Sequence, residues 1–388
     1  MARPPGSLPL LALWLTACAP KPGEGPVRLG TDADGDGVTA AADCDDQDAT
    51  STVRAEDADC DGVLTPHDCD DADAGRGATQ QDQDCDGVPT AQDCDDADPE
   101  VGAGDCDTGA PPLPDPLISS TLGAMPLVPA GSFVMGCVPG RDDVDGIACT
   151  GTEEVPTREV VLTHAFWVME REVDQGSWGD LGFANPSAHV SDDRPVEYLT
   201  WWEMLAGANA ASEAEGLDPC YELTGCTADA LGEGRTCTGV RVTAPGGHPV
   251  DCGGYRLPTE AEWEWAARGG GQHAYAGSDD GSAVAWHSGN ADKRTHPGCD
   301  PARARNGHGL CDMSGNVWER VWDLHGPYPS TSTATDPQGS TTGVNRGCRG
   351  GAYSYAVSYA RVATRARLPP EDAHADLGFR LVRTAFPP

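Results

Sequence analysis

Tyr255-Arg-Leu-Pro-Thr-Glu-Ala-Glu-Trp-Glu-Trp-Ala-Ala-Arg268 carries the densest structural signal in the chain. Thr259 followed by Glu262 is a capping box: the hydroxyl accepts from the third helical N–H and the glutamate reaches back to the cap's own amide. The helix it opens runs to Gly269, Gly270 and Gly271, which allow a left-handed exit without steric cost. The same grammar recurs at Thr200-Trp-Trp-Glu203, opening a helix to about Glu215 that Gly216 stops. Asp174 can cap a shorter helix through Leu181. Met125 to Met135 alternates loosely around Pro and Gly and predicts an opening strand or hairpin, and Arg158 to Met169 is β-branched and aromatic enough to predict strand. Beyond them, short strands and long Gly-rich loops run to Pro388. Helices among scattered strands predict an α+β domain over 122–388 with much irregular loop.

Upstream the composition changes. Residues 108–121 are Pro-rich and nearly uncharged, and predict a semi-rigid linker. Residues 31–107 are strongly acidic within a chain whose formal net charge is -37. Such a balance excludes nucleic acid as a partner, because phosphate binding needs a basic face. Three copies of Asp-x-Asp-x-Asp-Gly-x5-Asp occur at a constant spacing, and a fixed period means one structural unit repeated. They are Asp32, Asp34, Asp36 and Asp43; Asp57, Asp59, Asp61 and Asp68; Asp82, Asp84, Asp86 and Asp93. Carboxylates at loop positions 1, 3, 5 and 12 with a glycine at 6 suit the hard, oxygen-seeking calcium ion, and Val38, Val63 and Val88 can each add a backbone carbonyl. No amphipathic helix flanks these loops, so they are not paired EF-hands. The bland alternative, a disordered acidic linker, leaves the glycine and cysteine phasing unexplained.

The repeats resemble the thrombospondin type 3 family, in which loops wrap ions instead of packing an apolar core. The economical pairing of their cysteines is Cys44–Cys60, Cys69–Cys85 and Cys94–Cys106, each stapling one copy to the segment after it. Affinity for calcium is expected at roughly 10⁻⁴ to 10⁻³ M, as in extracellular modules.

The 16 cysteines point to an oxidising compartment. Arg3, the short apolar run Leu8 to Ala17, and Leu15-Thr16-Ala17-Cys18 read as an export signal over 1–18. The tetrad resembles a bacterial lipobox with Cys18 as the lipidated residue, followed by a tether over 19–30. A plain secretory signal is the alternative. The expectation is an outer-membrane or surface lipoprotein of the bacterial envelope, held to the membrane through Cys18. In the C-terminal domain, neighbours in sequence give Cys137–Cys149, Cys220–Cys226, Cys237–Cys252 and Cys299–Cys311, although spacing alone leaves connectivity open. Cys348 is the odd one, a disulfide partner or a buried thiol.

Five ordered motifs then identify the domain by resemblance: Met125-Pro-Leu-Val-Pro-Ala-Gly-Ser-Phe-Val-Met-Gly136, the Tyr255–Arg268 stretch, Gly309-Leu-Cys-Asp-Met-Ser-Gly-Asn-Val-Trp-Glu319, Arg349-Gly-Gly351 and Gly378-Phe-Arg-Leu-Val382. Together they look like the formylglycine-generating enzyme, or sulfatase-modifying factor, family. The resemblance implies a C-type-lectin-like fold variant and oxidation of a substrate cysteine with O₂ at a copper ion held by two thiolates. The positions of those cysteines are Tyr355 and Ala360 here, and Ala352 replaces the family's serine. A phenol and a methyl group cannot hold Cu(I), so the oxidase activity does not carry over and copper is not expected. Asn290, Asn316 and Glu319 match positions around the family's calcium sites. His287, His296 and His308 lack zinc spacing. The sequence therefore predicts a binding or accessory module on a calcium-stiffened stalk, with an unknown surface protein or glycan as partner. The alternative is an active family enzyme, of formylglycine-generating or non-heme iron type, with a different metal centre.

Overall fold

The computed structural model describes residues 116–386, apart from 145, 150–152, 228–229 and 330–332, together with residues 38, 42–45 and 47. The chain divides into two compact units, Met1–Leu113 and Pro114–Pro388. Of the predicted repeat ligands only Val38 and Asp43 fall among the described residues; Asp43 is buried and its Oδ1 accepts from the Asp45 amide. Cys44 is disulfide-bonded, whereas its expected partner Cys60, the other repeat ligands and the Cys18 signal lie outside the described residues.

The second unit opens earlier than its composition suggests. Strand β1 (Leu117–Ser119) lies inside the expected linker and pairs antiparallel with β2 (Gly123–Met125). Buried Ser119 explains the correction: its Oγ accepts from the Leu122 amide and its hydroxyl donates to Glu215. The chain continues through β3 (Leu127–Val128), β4 (Gly131–Met135), β5 (Arg158–Leu162) and β6 (Phe166–Val168). The single strand expected over Arg158 to Met169 is thus two, in different sheets: β5 pairs with β4, and β6 with β3. Asp336 holds the break, accepting from the amide and hydroxyl of Thr163.

Helices α1 (Gln175–Asp180), α2 (Trp201–Ala214) and α3 (Glu260–Arg268) start at Asp174, Thr200 and Thr259, with both capping boxes formed. Gly269 ends α3 at φ 58°. Between α2 and α3 a hairpin of β7 (Tyr221–Thr224) and β8 (Gly239–Val242) stands on its own. It corrects the cysteine pairing: Cys226 joins Cys237 and Cys220 joins Cys252, a nested arrangement instead of Cys220–Cys226 and Cys237–Cys252. The hairpin register, Tyr221↔Val242 to Thr224↔Gly239, carries on to put Cys226 opposite Cys237. Cys137–Cys149 and Cys299–Cys311 are paired in sequence order, and Cys348 is a buried thiol.

After α4 (Gly281–Val284), β9 (Trp318–Leu324) forms the centre of a four-stranded sheet. β10 (Thr333–Thr335) adds parallel to β5, while β11 (Arg346–Arg349), β12 (Ala366–Leu368) and β13 (Leu377–Gly378) complete the β9 sheet in the order β12-β11-β9-β13. β14 (Val382–Thr384) returns to pair with β6. Trp178, Trp201 and Trp263 are fully buried in the core. These elements confirm an α+β domain rich in loop. Its interior is also ionic. On α3 the three glutamates face different arginines: Glu260 is gripped by Nε and Nη2 of Arg365, Glu262 by Arg256, and Glu264 by Arg349 and Arg268. The charge-rich helix is therefore a hub that ties β11, the loop before α3 and the segment before β12 to one element.

Candidate functional site

The segment after β11 turns on Gly350 and Gly351, both at positive φ. A Cβ on Gly351 would meet the Tyr359 carbonyl oxygen at 2.8 Å, so glycine lets the 3₁₀ turn Val357–Ala360 pack against it. This turn brings the sequence-predicted positions together. Ala352 and Ala360 are buried, whereas Tyr355 is 40% exposed. The Tyr355 ring stands edge-on to Trp318 at 5.6 Å and to Tyr359 at 5.3 Å, and Tyr359 is itself exposed. Beside them the Tyr353 hydroxyl meets His189 Nε2 at 3.2 Å. Tyr198 completes the group from another loop, exposed and held at φ 64°, a strained conformation for a bulky side chain. Burial, then Asp376, Glu197 and Tyr198, push the Tyr353 phenol up to about 12. Burial, then Asp376 and Tyr359, likewise raise Tyr355. Ser354 donates to Asp376. The result is a tyrosine face around a carboxylate, suited to stacking and hydrogen bonding, in which no described side chain is a thiolate. Cys348 does not supply a thiolate: it is buried, and desolvation raises its thiol away from the form a soft metal needs.

Beneath this face lies an acidic cluster. The loop Asp312 to Asn316 is tied to the Gly-Gly turn, Gly315 donating to the Gly350 carbonyl and Tyr353 to that of Asn316. Asp312 and Asn316 adopt positive φ. Glu319, on β9, gives both oxygens to Arg380 at 2.6 and 2.7 Å and also accepts from Trp263 Nε1. Asn316 Nδ2 donates to Glu172, and its Oδ1 accepts from the His296 amide. Glu172 and Asp312, which sequence reasoning missed, are buried and each keeps one carboxylate oxygen without a partner. Three carboxylates thus share one guanidinium. Burial, then repulsion from Asp312 and Glu319, raises Glu172 well above the carboxylate range, and burial lifts Asp312 to about 6. Asn290 stands apart, closing a turn between the His287 amide and the Ala285 carbonyl. Glu170, Cys299 and Cys311 also gather within 4.8 Å, but both cysteines are consumed by their disulfide.

Comparison with known proteins adds an independent line. A family profile described as the sulfatase-modifying factor enzyme 1-like domain matches residues 112–385. Chaperone protein LppX of Paenibacillus barcinonensis is 31% identical over 259 residues, spanning 62% of this chain and 88% of the relative. The formylglycine-generating enzyme of Streptomyces coelicolor is 31% identical over 301 residues, 69% of this chain and 90% of that protein. Treponema denticola variable protein 1 is similar in structure, with a TM-score of 0.55 and 25% identity, over 68% of this chain and 95% of its own.

Proposed function

The chain belongs to the sulfatase-modifying factor enzyme 1-like family, and from that membership we propose a member that binds instead of oxidising. One observation carries the reading: where the family holds copper between two thiolates, this chain presents the exposed Tyr355 ring and the buried Ala360 methyl. The donor set does not fit Cu(I), which favours soft sulfur ligands. Tyr198, Tyr353, Tyr355 and Tyr359 suit recognition, since tyrosine offers a rigid apolar ring with a polar tip. A surface protein or glycan is the partner class in view. A relative named as a chaperone protein agrees with an accessory role.

The acidic cluster fits a hard cation. Glu172 and Asp312 would hold calcium through their unpartnered oxygens, with Asn316 and Glu319 alongside. The ion would supply charge balance and rigidity beneath the tyrosine face, not chemistry. Calcium binding by the Asp32–Asp93 repeats, and export as a lipoprotein through Cys18, complete the proposal; four disulfides among the described residues favour an oxidising compartment.

The test is to incubate the full chain with Cu(I), O₂ and a Cys-x-Pro-x-Arg peptide, following the cysteine by mass spectrometry beside an active relative. The expected outcome is an unmodified peptide. Conversion to the aldehyde would overturn the reading and leave the alternative, an enzyme with a different metal centre.

A further inference from the structure

A second site lies away from the tyrosine face, around Arg158 at the start of β5. Arg158 is 7% exposed, and among the described residues no carboxylate pairs with it. Its Nε is buried without a hydrogen-bond partner, and Nη2 meets only the Met135 thioether sulfur, at 3.8 Å. An isolated buried guanidinium is costly, because it loses hydration and gains no counter-charge.

Tyr328 lies against it, with the Arg158 guanidinium 4.9 Å from the ring centre and that of Arg365 at 3.9 Å. The Tyr328 hydroxyl is also buried and unpartnered. Both side chains line a cavity of about 300 Å³ whose far wall is Gly339, Ser340, Thr341 and Thr342.

The charges around the cavity do not cancel. Glu260 is fully engaged by the Arg365 fork, with Arg349 Nη1 3.5 Å away. Arg365 uses its remaining nitrogen on the Glu153 and Gly326 carbonyls. Asp323 is the other acid near Arg158, but its Oδ2 accepts from the Glu260 amide, and burial, then Glu260, lift its carboxyl to about 8. Among the described residues of the lining, Arg158 is left as the one uncompensated charge. Its unpartnered Nε–H and the Tyr328 O–H are donors that lack an acceptor.

We propose that this cavity binds a small oxyanion, the carboxylate, sulfate or phosphate group of a ligand, held by the Arg158 fork and the Tyr328 hydroxyl. Guanidinium presents paired N–H groups that match two oxygens of such a group. The wall of small, hydroxylated residues leaves room for the remainder of the ligand. This site is independent of the tyrosine face: Arg158 sits at the start of β5, the middle strand between β4 and β10, and Tyr328 on the loop after β9.

The experiment titrates the full chain with sodium sulfate, phosphate and acetate at matched ionic strength, with chloride as reference, by calorimetry and thermal melting. At least one anion should bind saturably at one site and raise Tm; acetate would mark a carboxylate ligand, sulfate or phosphate a tetrahedral one. Tyr328→Phe should weaken binding about fivefold or more while leaving the unliganded Tm unchanged or higher, because it removes an unsatisfied hydroxyl. Arg158→Gln should abolish binding. If that variant does not fold, Arg158→Lys keeps the charge, loses the fork, and should still weaken binding about tenfold. No saturable binding up to about 50 mM, where mass action would already shift Tm for a weak ligand, overturns the proposal. So does binding that Tyr328→Phe and the Arg158 variants leave unchanged, which would mean an ion held elsewhere or water alone in the cavity.

Discussion

Tyr355 and Ala360 separate this chain from the chemistry of its family, and the separation can be reversed in the test tube. Cu(I) seeks thiolates, and the backbone packing of Gly351 against Tyr359 and Ala360 holds the segment that carries both positions. Tyr355→Cys with Ala360→Cys should therefore gain Cu(I) binding by orders of magnitude over the parent, measured by competition with a chromogenic chelator. Equal affinity in both proteins would mean that the parent holds copper through other residues. The acidic cluster gives a second prediction at this scale. Raised carboxyl groups stabilise the fold while protonated, so their contribution is full below about pH 4 and fades as pH rises past their folded values, about 6 for Asp312. Calcium should offset that loss, so its effect on Tm should be larger at pH 7.5 than at pH 5. Glu172→Gln replaces a carboxyl that burial and its acidic neighbours hold in the protonated form, and so removes the cost of keeping it there: it should raise Tm without calcium and shrink the part of the calcium effect that depends on pH. Calcium shifts unchanged in the variant would remove Glu172 from the site.

Helix α3 concentrates the ionic interior, and its failure should be acid-dependent. Burial pushes Glu260 up, but Arg365 wins and holds its carboxyl at about 2. Its contribution is present above the unfolded value of about 4.5 and is lost as pH falls toward 2. Glu260→Gln should cost about 3–5 kcal/mol in urea unfolding at neutral pH, since it strands the Arg365 guanidinium in the core. A loss under about 1 kcal/mol, the range of an exposed pair, would show that Arg365 reaches water instead. The start of this helix was legible from Thr259 and Glu262 because a capping box is a local interaction written within four residues. The partners of two of its glutamates were not, since Arg349 arrives from β11 and Arg365 from the segment before β12. The same contrast explains the cysteines. Spacing favoured Cys220–Cys226, but the register of β7 against β8 decides which sulfurs meet, and although Tyr221 to Thr224 and Val240 to Val242 alternate, nothing local shows that these two strands pair across the long loop between them. Glu172 was invisible for a like reason: nothing near it in sequence shows that the fold delivers it to Asn316. Tyr355 and Ala360, by contrast, were placed by counting from Arg349-Gly-Gly351; Ala360 ends the 3₁₀ turn Val357–Ala360, and Tyr355 lies just before it.

Across the whole chain, a formal net charge of -37 opposes compaction by self-repulsion, which cations relieve. The excess is concentrated between Thr31 and Asp107, in a stretch of sequence whose aspartate and glycine phasing suits calcium. Two effects of calcium then differ in kind. Screening of acidic repulsion is a property of ionic strength, and magnesium or sodium would reproduce it. Coordination by carboxylates at fixed loop positions depends on ion size and ligand number, and magnesium would not reproduce it, because it keeps its waters and demands a tighter octahedron. Calcium titrated into the full chain at constant ionic strength should therefore give a cooperative change in circular dichroism with a midpoint of roughly 10⁻⁴ to 10⁻³ M, the range of extracellular calcium modules, and magnesium should not match it. Asp61→Asn with Asp86→Asn should shift that midpoint upward several-fold while leaving the Cu(I) and peptide experiments unaffected, because both substitutions lie in the first compact unit. An identical response to magnesium would reduce the repeats to an acidic segment relieved by screening, and the calcium-stiffened stalk would have to be abandoned.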